Sequence, residues 1–286
     1  MNSFFKLISV KPLSLLAVAL LFHPVVFSQG LEDIIVETYY ISDQQDASAK
    51  GSNSIPAGWV TYRVFVDMKP GYSLQSVYGS PGHELKIGTT TAFYNHPMHG
   101  NYIPNLVMDP LISGGALMLD SWIGMGAATQ QKYGVLKEED DTVMTVVNVS
   151  SPQVMQGEHM LAGIPLKVRD GLYKPLTGLP PRVTQIGLDT LLSVLDKSRM
   201  PQNGFSFSTE NGGWGCIGGA TGPFPETNRV LIGQFTTNGD FHFEFNIQIG
   251  SAEHGVEQYV ARNPVSGERL HQGLIILKPG LKGSAK

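Results

Sequence analysis

The segment from Phe241 to Ile249 constrains the fold of this chain most strongly, because apolar and polar residues alternate along it without a break. Side chains of a β-strand point to opposite faces in turn, so this alternation predicts a strand with one buried and one polar face. The buried face would carry Phe241, Phe243, Phe245, Ile247 and Ile249. The polar face would carry His242, Glu244, Asn246 and Gln248.

Similar short runs recur along the chain between turns that contain glycine and proline. Residues 60–68 alternate in the same way, and residues 32–42 are rich in β-branched and aromatic side chains. Asn238 and Gly239 predict a type I′ hairpin turn, and residues 264–267 predict a second hairpin. Only residues 188–199 show helical spacing. The pattern predicts an all-β fold with almost no helix, an antiparallel β-sandwich of the jelly-roll or immunoglobulin-like type.

The first 28 residues predict a secretory signal peptide. Lysines precede an uncharged apolar run over residues 13–22, and the small residues Val26 and Ser28 then stand at the spacing of a cleavage site before Gln29. A membrane anchor is the alternative, but a proline ends the run before the ~20 apolar residues that a spanning helix needs. We expect a protein that is secreted, periplasmic or on the cell surface, with no membrane span after cleavage.

The rest of the chain predicts one domain. Residues 29–280 are expected to form a single β-sandwich, in which residues 126–182 are less regular and could form an insert, and residues 281–286 are expected to be a disordered tail. Charged residues make up 15% of the chain, the net charge is −4, and no basic cluster occurs. Nucleic acid is therefore not an expected partner.

Family-like patterns occur at "VTYRVFVDMKPGYSLQSVYGSPGHELKIGTTTAFYN", "LDSWIGMGAA", "GVLKEEDD", "GIPLKVRDGL", "SFSTENGGWGCIGGATGPFPETNRVLIGQFTTNGDFHFEFNIQI" and "EQYVARNPVSGERL". These segments resemble a group of uncharacterised secreted, β-rich proteins of the Bacteroidetes, which occur as modules of surface-exported or multidomain chains. The resemblance covers most of the chain after the signal peptide. It implies export, and it implies no activity or residue role that could be transferred to this chain.

The polar face of the alternating segment is the first candidate for ligand binding. Residues two apart on a strand project to the same side about 6.5–7 Å apart. His242, Glu244, Asn246 and Gln248 could therefore line a face that binds a glycan or a peptide. They could instead form the solvated side that half-buried strands commonly show, which is the preferred interpretation. His242 and Glu244 could share a metal ion, but two ligands are too few for a zinc site.

Asp120 and Trp122 are the second candidate, on a strand predicted over residues 116–125. An aromatic ring beside a carboxylate can stack on a sugar and accept its hydroxyl hydrogen bonds. The alternative is a second packed face, with Trp122 in the core and Asp120 accepting hydrogen bonds from backbone or hydroxyl donors. Packing is the preferred interpretation, and the pair stays a candidate for carbohydrate binding.

The sequence contains no Gly-x-Ser-x-Gly, no His-Glu-x-x-His and no glycine-rich phosphate loop that leads into a helix. The paired carboxylates of a glycoside hydrolase leave no local signature, so that class stays open. Acidic residues 138–141, and the pair Asp43 and Asp46, could bind calcium, although solvated acidic turns are the simpler interpretation. We predict no metal site and no other cofactor.

These observations predict a secreted, non-enzymatic β-sandwich protein of the cell envelope or extracellular space. It would bind or support polysaccharide or other envelope material, with an extracellular glycan as the expected partner. Two alternatives stay open: an enzyme that acts on polysaccharide with the same fold, and a purely structural envelope protein.

Overall fold

The computed structural model describes residues 29–114, 116–139, 171–195 and 205–277. In these ranges the chain is mostly β-structure, and the one α-helix, α1, covers only Gln44–Ala47. The strands are β1 (Leu31–Ile41), β2 (Val60–Met68), β3 (Ser73–Gly79), β4 (Leu85–Thr89), β5 (Trp122–Ile123), β6 (Tyr133–Gly134), β7 (Leu172–Tyr173), β8 (Thr184–Ile186), β9 (Ser206–Thr209), β10 (Gly212–Ala220), β11 (Arg229–Thr237), β12 (Phe241–Glu244), β13 (Asn246–Ser251), β14 (Gly255–Val260), β15 (Glu268–Leu270) and β16 (Ile275–Ile276). The predicted tail and part of the predicted insert lie outside the described residues.

The strands form three larger sheets and one two-stranded ribbon of β6 and β7. Sheet A has the order β1-β2-β11-β5, sheet B has the order β15-β14-β13-β3-β10-β8, and sheet C has the order β16-β12-β4-β9. Among the described strands every pair is antiparallel except β14 with β15. The prediction of a mostly β fold with almost no helix is therefore confirmed.

One large apolar cluster contains side chains from all three sheets. Val64 and Val66 of β2 contribute to it from sheet A, and Ile87 of β4 contributes from sheet C. The five apolar residues of the alternating segment all belong to this cluster: Phe241, Phe243, Phe245, Ile247 and Ile249. Burial of each such side chain contributes roughly 1.5–3 kcal/mol, so this segment supplies a large share of the stability of the fold.

The alternating segment is nevertheless two strands rather than one. β12 pairs with β4 and β16 in sheet C, whereas β13 pairs with β3 and β14 in sheet B. Phe245 lies between the two strands, and its backbone N–H donates to the carbonyl of Leu274 at 2.8 Å. Alternation does not reveal this change of sheet, because side chains point inward and outward with the same period in both strands.

Asn238 and Gly239 connect β11 to β12 but do not form the predicted hairpin. β11 lies in sheet A and β12 in sheet C, so the two strands are not paired with each other. Neither residue has the positive φ that a type I′ turn requires. Gly239 instead packs closely on threonine side chains, since a Cβ there would lie 2.6 Å from Thr91 Oγ1. The hairpin prediction is wrong because the glycine serves this close approach and not a turn conformation.

Two other local predictions are also corrected. Residues 264–267 do not close a hairpin, because β14 and β15 on either side of them pair in parallel. The helical spacing at residues 188–199 corresponds to a short 3₁₀ helix at Leu191–Leu195, and residues 196–199 lie outside the described residues.

Glu257 on β14 holds the first described part of the chain in place. Its carboxylate accepts hydrogen bonds from the backbone N–H of Gly30 at 3.1 Å and from the hydroxyls of Tyr72 at 3.2 Å and Tyr259 at 2.5 Å. Burial alone raises the pKa of a carboxyl, but these donors together lower the pKa of Glu257. Gly30 is needed at this contact, because a Cβ there would lie 2.2 Å from the ring of Tyr72.

Candidate ligand-binding cleft

A cavity of about 390 Å³ opens on the outer face of sheet C. This volume lies within the size range of small-molecule binding sites. Most of its lining consists of titratable side chains: Glu84, Lys86, Glu210, His242, Glu244 and Arg262. The cavity, called the cleft below, thus contains two of the polar residues that the alternation places on one strand face.

The floor of the cleft is formed by β12 and its neighbour β4. His242 and Glu244 project away from the core because Phe241 and Phe243, which alternate with them, point into it. The register places His242 opposite Gly88 and Glu244 opposite Lys86. Cross-strand partners have Cβ atoms about 4.5–5.5 Å apart, so Glu244 and Lys86 are direct neighbours on the floor.

Gly88 makes room for the imidazole of His242. A Cβ at position 88 would lie 2.3 Å from His242 Nε2 and 2.7 Å from His242 Cε1. The ring therefore lies across β4, over a position at which any side chain would collide with it. Glycine at position 88 thus leaves free the space in which the imidazole stands.

Arg262, from the loop after β14, reaches over the floor and contacts Glu244. Its Nε donates to Glu244 Oε2 at 3.0 Å, with the Glu244 side chain 13% exposed and the Arg262 side chain 52% exposed. An exposed ion pair contributes little to stability, so its main consequence here is the orientation of both side chains. In the described part of the chain, the Nη atoms of Arg262 and the ammonium of Lys86 have no hydrogen bond or ion pair.

Two further glutamates, Glu84 and Glu210, also line the cleft, and the two are called its rim below. Glu210 accepts a hydrogen bond from the backbone N–H of Gly82 at 3.3 Å, and Glu84 lies two residues before Lys86. Phe243 also borders the cavity, but it is only 1% exposed and offers no ring for stacking. Sequence reasoning missed Glu84, Lys86, Glu210 and Arg262, because they come from separate segments that carry no shared motif.

Asn246 lies behind the cleft and is buried, with 1% of its surface exposed. Its Nδ2 lies within hydrogen-bond distance of three backbone carbonyls, those of Tyr78 at 3.1 Å, His83 at 3.3 Å and Glu84 at 3.1 Å. Its Oδ1 accepts from the backbone N–H of Ala261 at 3.2 Å. The prediction that Asn246 belongs to a solvated or ligand-binding face is therefore wrong, because the turn before β4 covers it and uses its amide.

A second contact joins the turn before β4 to the segment after β14. His83 Nε2 lies 2.9 Å from Glu268 Oε2, and both side chains are largely buried. Glu268 also accepts from the backbone N–H of Val265 at 2.9 Å. Burial, together with the negative charge of Glu268, raises the pKa of Tyr78 to about 12. The turn that carries Gly82 and the loop that carries Arg262 are thus connected by side chains as well as by the sheet.

Asp120 and Trp122 lie away from this cleft and are buried. The segment predicted as a strand is a 3₁₀ helix at Ala116–Leu119 followed by the two residues of β5. Asp120 accepts from the backbone N–H groups of His96 at 2.6 Å and Asn101 at 3.2 Å. Trp122 is 2% exposed and belongs to an apolar cluster on sheet A. The pair forms no exposed stacking platform, and the alternative of a packed face describes it correctly.

The described residues contain no group of three or more histidine, cysteine, aspartate or glutamate side chains arranged to hold a metal ion. Asp43 and Asp46, considered above for calcium, form the capping box of α1: the Asp43 carboxylate accepts from the N–H of Asp46, and the Asp46 carboxylate accepts from the N–H of Asp43. Within residues 138–141, Glu138 accepts from Arg229 at 2.7 Å, and the last two residues lie outside the described ranges.

The chain matches no family model, no curated protein and no solved structure. The resemblance to secreted Bacteroidetes proteins therefore stays a prediction. Across the described ranges, no helix has the length and apolar content needed to cross a membrane. The chemistry of the cleft is thus the basis on which a function can be proposed.

Proposed function

We propose that this is a secreted, non-enzymatic β-sandwich protein that binds extracellular polysaccharide or other envelope material in the cleft. The observation that carries the proposal is the convergence of His242, Glu244, Lys86 and Arg262 in one open cavity of about 390 Å³. Carboxylates accept hydrogen bonds from sugar hydroxyls, while ammonium and guanidinium groups donate to ring and hydroxyl oxygens. A cavity lined in this way suits a ligand that is rich in hydroxyl groups.

The sandwich arrangement and secretion are parts of the same proposal. A single apolar cluster joins sheet A to sheets B and C, as expected for sheets that pack face to face. Secretion is supported by the signal-peptide pattern of residues 1–28. N-terminal sequencing of exported protein should start at or near Gln29, whereas an intact Met1 in the membrane fraction would contradict cleavage.

Binding without catalysis is favoured by the surroundings of two groups that could take part in catalysis, Glu244 and Cys216. Glu244 is engaged by Arg262 Nε at 3.0 Å, so one of its oxygens is committed to a structural contact. Cys216 is partly buried, and burial raises the pKa of its thiol, which disfavours the thiolate that a nucleophilic cysteine needs.

An enzyme that acts on polysaccharide is the second candidate, and one observation favours it. Glu84, Glu210 and Glu244 line the same cleft, and glycoside hydrolysis requires a pair of carboxyl groups that flank the scissile bond. If this candidate is correct, incubation with a polysaccharide should release shorter products, and Glu244→Gln should abolish their release.

The test combines a polysaccharide-binding array with a degradation screen on the protein from Gln29 onward. The informative variant is His242→Ala with Arg262→Ala, and the matched control is Gln248→Ala, a polar residue of β13, the next strand along the chain. Binding that the double variant loses and the control retains would support the proposal. Product formation would support the enzyme, and a lack of both binding and products would leave a purely structural envelope protein.

A further inference from the structure

The floor of the cleft brings two cationic side chains close together. Glu244 is flanked by two cations: Lys86 lies directly opposite it on β4, and Arg262 contacts it from the loop after β14. Two cations therefore stand close together beside one carboxylate, although the lining as a whole, with Glu84 and Glu210, contains three carboxylates. An anionic group of a ligand would therefore be attracted to this part of the cleft.

Both cations have donors that are free to contact a ligand. Arg262 uses Nε for Glu244, and its Nη atoms have no partner in the described part of the chain. A guanidinium can bind a carboxylate or a sulfate with two parallel hydrogen bonds, and a lysine ammonium adds a compact positive charge. Since the Arg262 side chain is 52% exposed, these donors can reach a ligand without a rearrangement of the fold.

The rim has the opposite chemistry. Glu84 and Glu210 border the same cavity and offer carboxylate oxygens, which accept hydrogen bonds from hydroxyl groups. An anion that lacks hydroxyl groups would be repelled by these carboxylates and could give them no hydrogen bond. The combination of a cationic floor and an accepting rim therefore suits a ligand with one negative group and several hydroxyls.

Among the described residues that line the cleft, none provides the usual means of binding an uncharged sugar. Sugar rings are commonly held by stacking on an exposed aromatic side chain. The aromatic residue of the lining, Phe243, is buried in the core, and Trp122 is buried on sheet A. Affinity must then come from hydrogen bonds and charge, which are strongest when the ligand is itself ionised.

We propose that the cleft selects acidic sugar units, with the carboxylate of a uronic acid accepting hydrogen bonds from the Nη atoms of Arg262 and from the ammonium of Lys86, and with the ring hydroxyls facing Glu84 and Glu210. This proposal rests on the proposed function and names its class of ligand. A sulfate ester on a sugar has the same chemistry at the cationic floor, so both kinds of acidic glycan are compared in the test.

The experiment measures binding to two matched pairs of oligosaccharides by calorimetry. The first pair is oligogalacturonate and its methyl ester, and the second is a sulfated galactan oligosaccharide and its desulfated form. The acidic member of at least one pair should bind tenfold or more tightly than its neutral partner. Lys86→Gln and Arg262→Gln should each weaken that binding roughly tenfold, the effect of losing one hydrogen bond to a charged group. The controls Lys174→Gln and Arg182→Gln, on exposed residues outside the cleft, should leave it unchanged.

Each contrary result has a separate meaning. If the neutral members bind as tightly as the acidic ones, and the double variant His242→Ala with Arg262→Ala abolishes this binding, then the proposed function stands and the selection of acidic sugars is overturned. If the acidic members bind tightly but Lys86→Gln and Arg262→Gln bind equally well, the assignment to this floor is overturned. If neither pair binds and the polysaccharide array is also negative, both proposals fail. Equal melting temperatures of variants and wild type establish that a loss of binding is not a loss of fold.

Discussion

Substitution of Asn246 by alanine tests the central structural contact of the cleft. The Nδ2 atom lies within hydrogen-bond distance of three backbone carbonyls, but an amide has only two hydrogens, so two of these contacts are full hydrogen bonds at one time. The bond from Ala261 to Oδ1 makes three in all. At about 1 kcal/mol net for each bond, and with buried backbone groups left unpaired, we expect Asn246→Ala to lower the free energy of unfolding by about 3–5 kcal/mol.

Urea denaturation of the protein from Gln29 onward measures this loss. Gln248→Ala is the matched control, because Gln248 is a partly exposed amide two residues further along β13, hydrogen-bonded to the side chain of Gln75. A partly exposed polar residue usually contributes less than about 1 kcal/mol to stability. The expected result is therefore a large decrease in the denaturation midpoint for Asn246→Ala and a small one for Gln248→Ala.

The isosteric change Asn246→Asp gives the same argument a pH dependence. It keeps the acceptor for Ala261 but replaces the donating nitrogen by an oxygen that faces the carbonyls of Tyr78, His83 and Glu84. We expect the folded protein to raise the pKa of this buried aspartate above its unfolded value of about 3.9, because only the protonated form can donate. Its stability should then be greatest below about pH 4 and fall as the pH rises through the folded pKa. A cost below about 1 kcal/mol for Asn246→Ala, or a stability of Asn246→Asp that does not change with pH relative to wild type, would refute the role assigned to this amide.

Three further predictions concern single side chains. Phe243→Ala should cost about 3–5 kcal/mol in urea denaturation, since it removes a buried aromatic ring, whereas His242→Ala should cost less than about 1 kcal/mol; equal costs would contradict the assignment of the two faces. Gly88→Ala should displace the imidazole of His242, because the new Cβ would lie 2.3 Å from its Nε2. The displacement should change the chemical shifts of that ring in NMR spectra, whereas unchanged shifts would show that the backbone of β4 moves instead. The hydrogen bonds to Glu257 lower its pKa, so its contribution to stability is present above its ordinary value of 4.5 and lost as the pH falls through the lower folded pKa. Glu257→Gln should weaken this acid dependence in pH-resolved thermal denaturation, and an unchanged acid profile would argue against it.

The buried half of the alternating segment could be predicted from sequence because it depends only on a local rule. Phe241 and Ile249 mark the ends of a row in which each apolar residue belongs to the core. The position of each side chain relative to the core follows from the backbone period alone, whichever strand lies beside it. The prediction that these apolar residues are buried is therefore correct, although the segment changes from sheet C to sheet B at Phe245.

Predictions that depended on which strands pair were less successful. Asn238 and Gly239 have the composition of a hairpin turn, but β12 finds its partners in β4 and β16, which are distant in sequence. The choice between a hairpin and a link between sheets is decided by tertiary packing, and short-range turn preferences do not contain it. The same holds for the parallel pairing of β14 with β15.

The cleft was predictable in part. His242 and Glu244 could be identified because they share a strand face, whereas Lys86 and Arg262 become their neighbours only through pairing and loop placement. For Asp120 the residue type correctly predicted an acceptor of hydrogen bonds, but nothing in the sequence indicates that the donors are backbone N–H groups of a covering loop. Burial of a polar residue by a distant segment has no local signature.

The change of sheet at Phe245 is also what assembles the cleft. Because β12 belongs to sheet C while β13 and β14 belong to sheet B, the loop that follows β14 does not extend sheet C but passes over its outer face, where Arg262 contacts Glu244 at 3.0 Å. Asn246, the first residue after the change, bonds to Ala261 at the start of that loop and to the turn that precedes β4. The turn before β4 and the loop after β14, which border the cleft, are therefore both held by Asn246, a residue that does not line it. A substitution of Asn246 that still folds should accordingly weaken ligand binding through the position of Arg262.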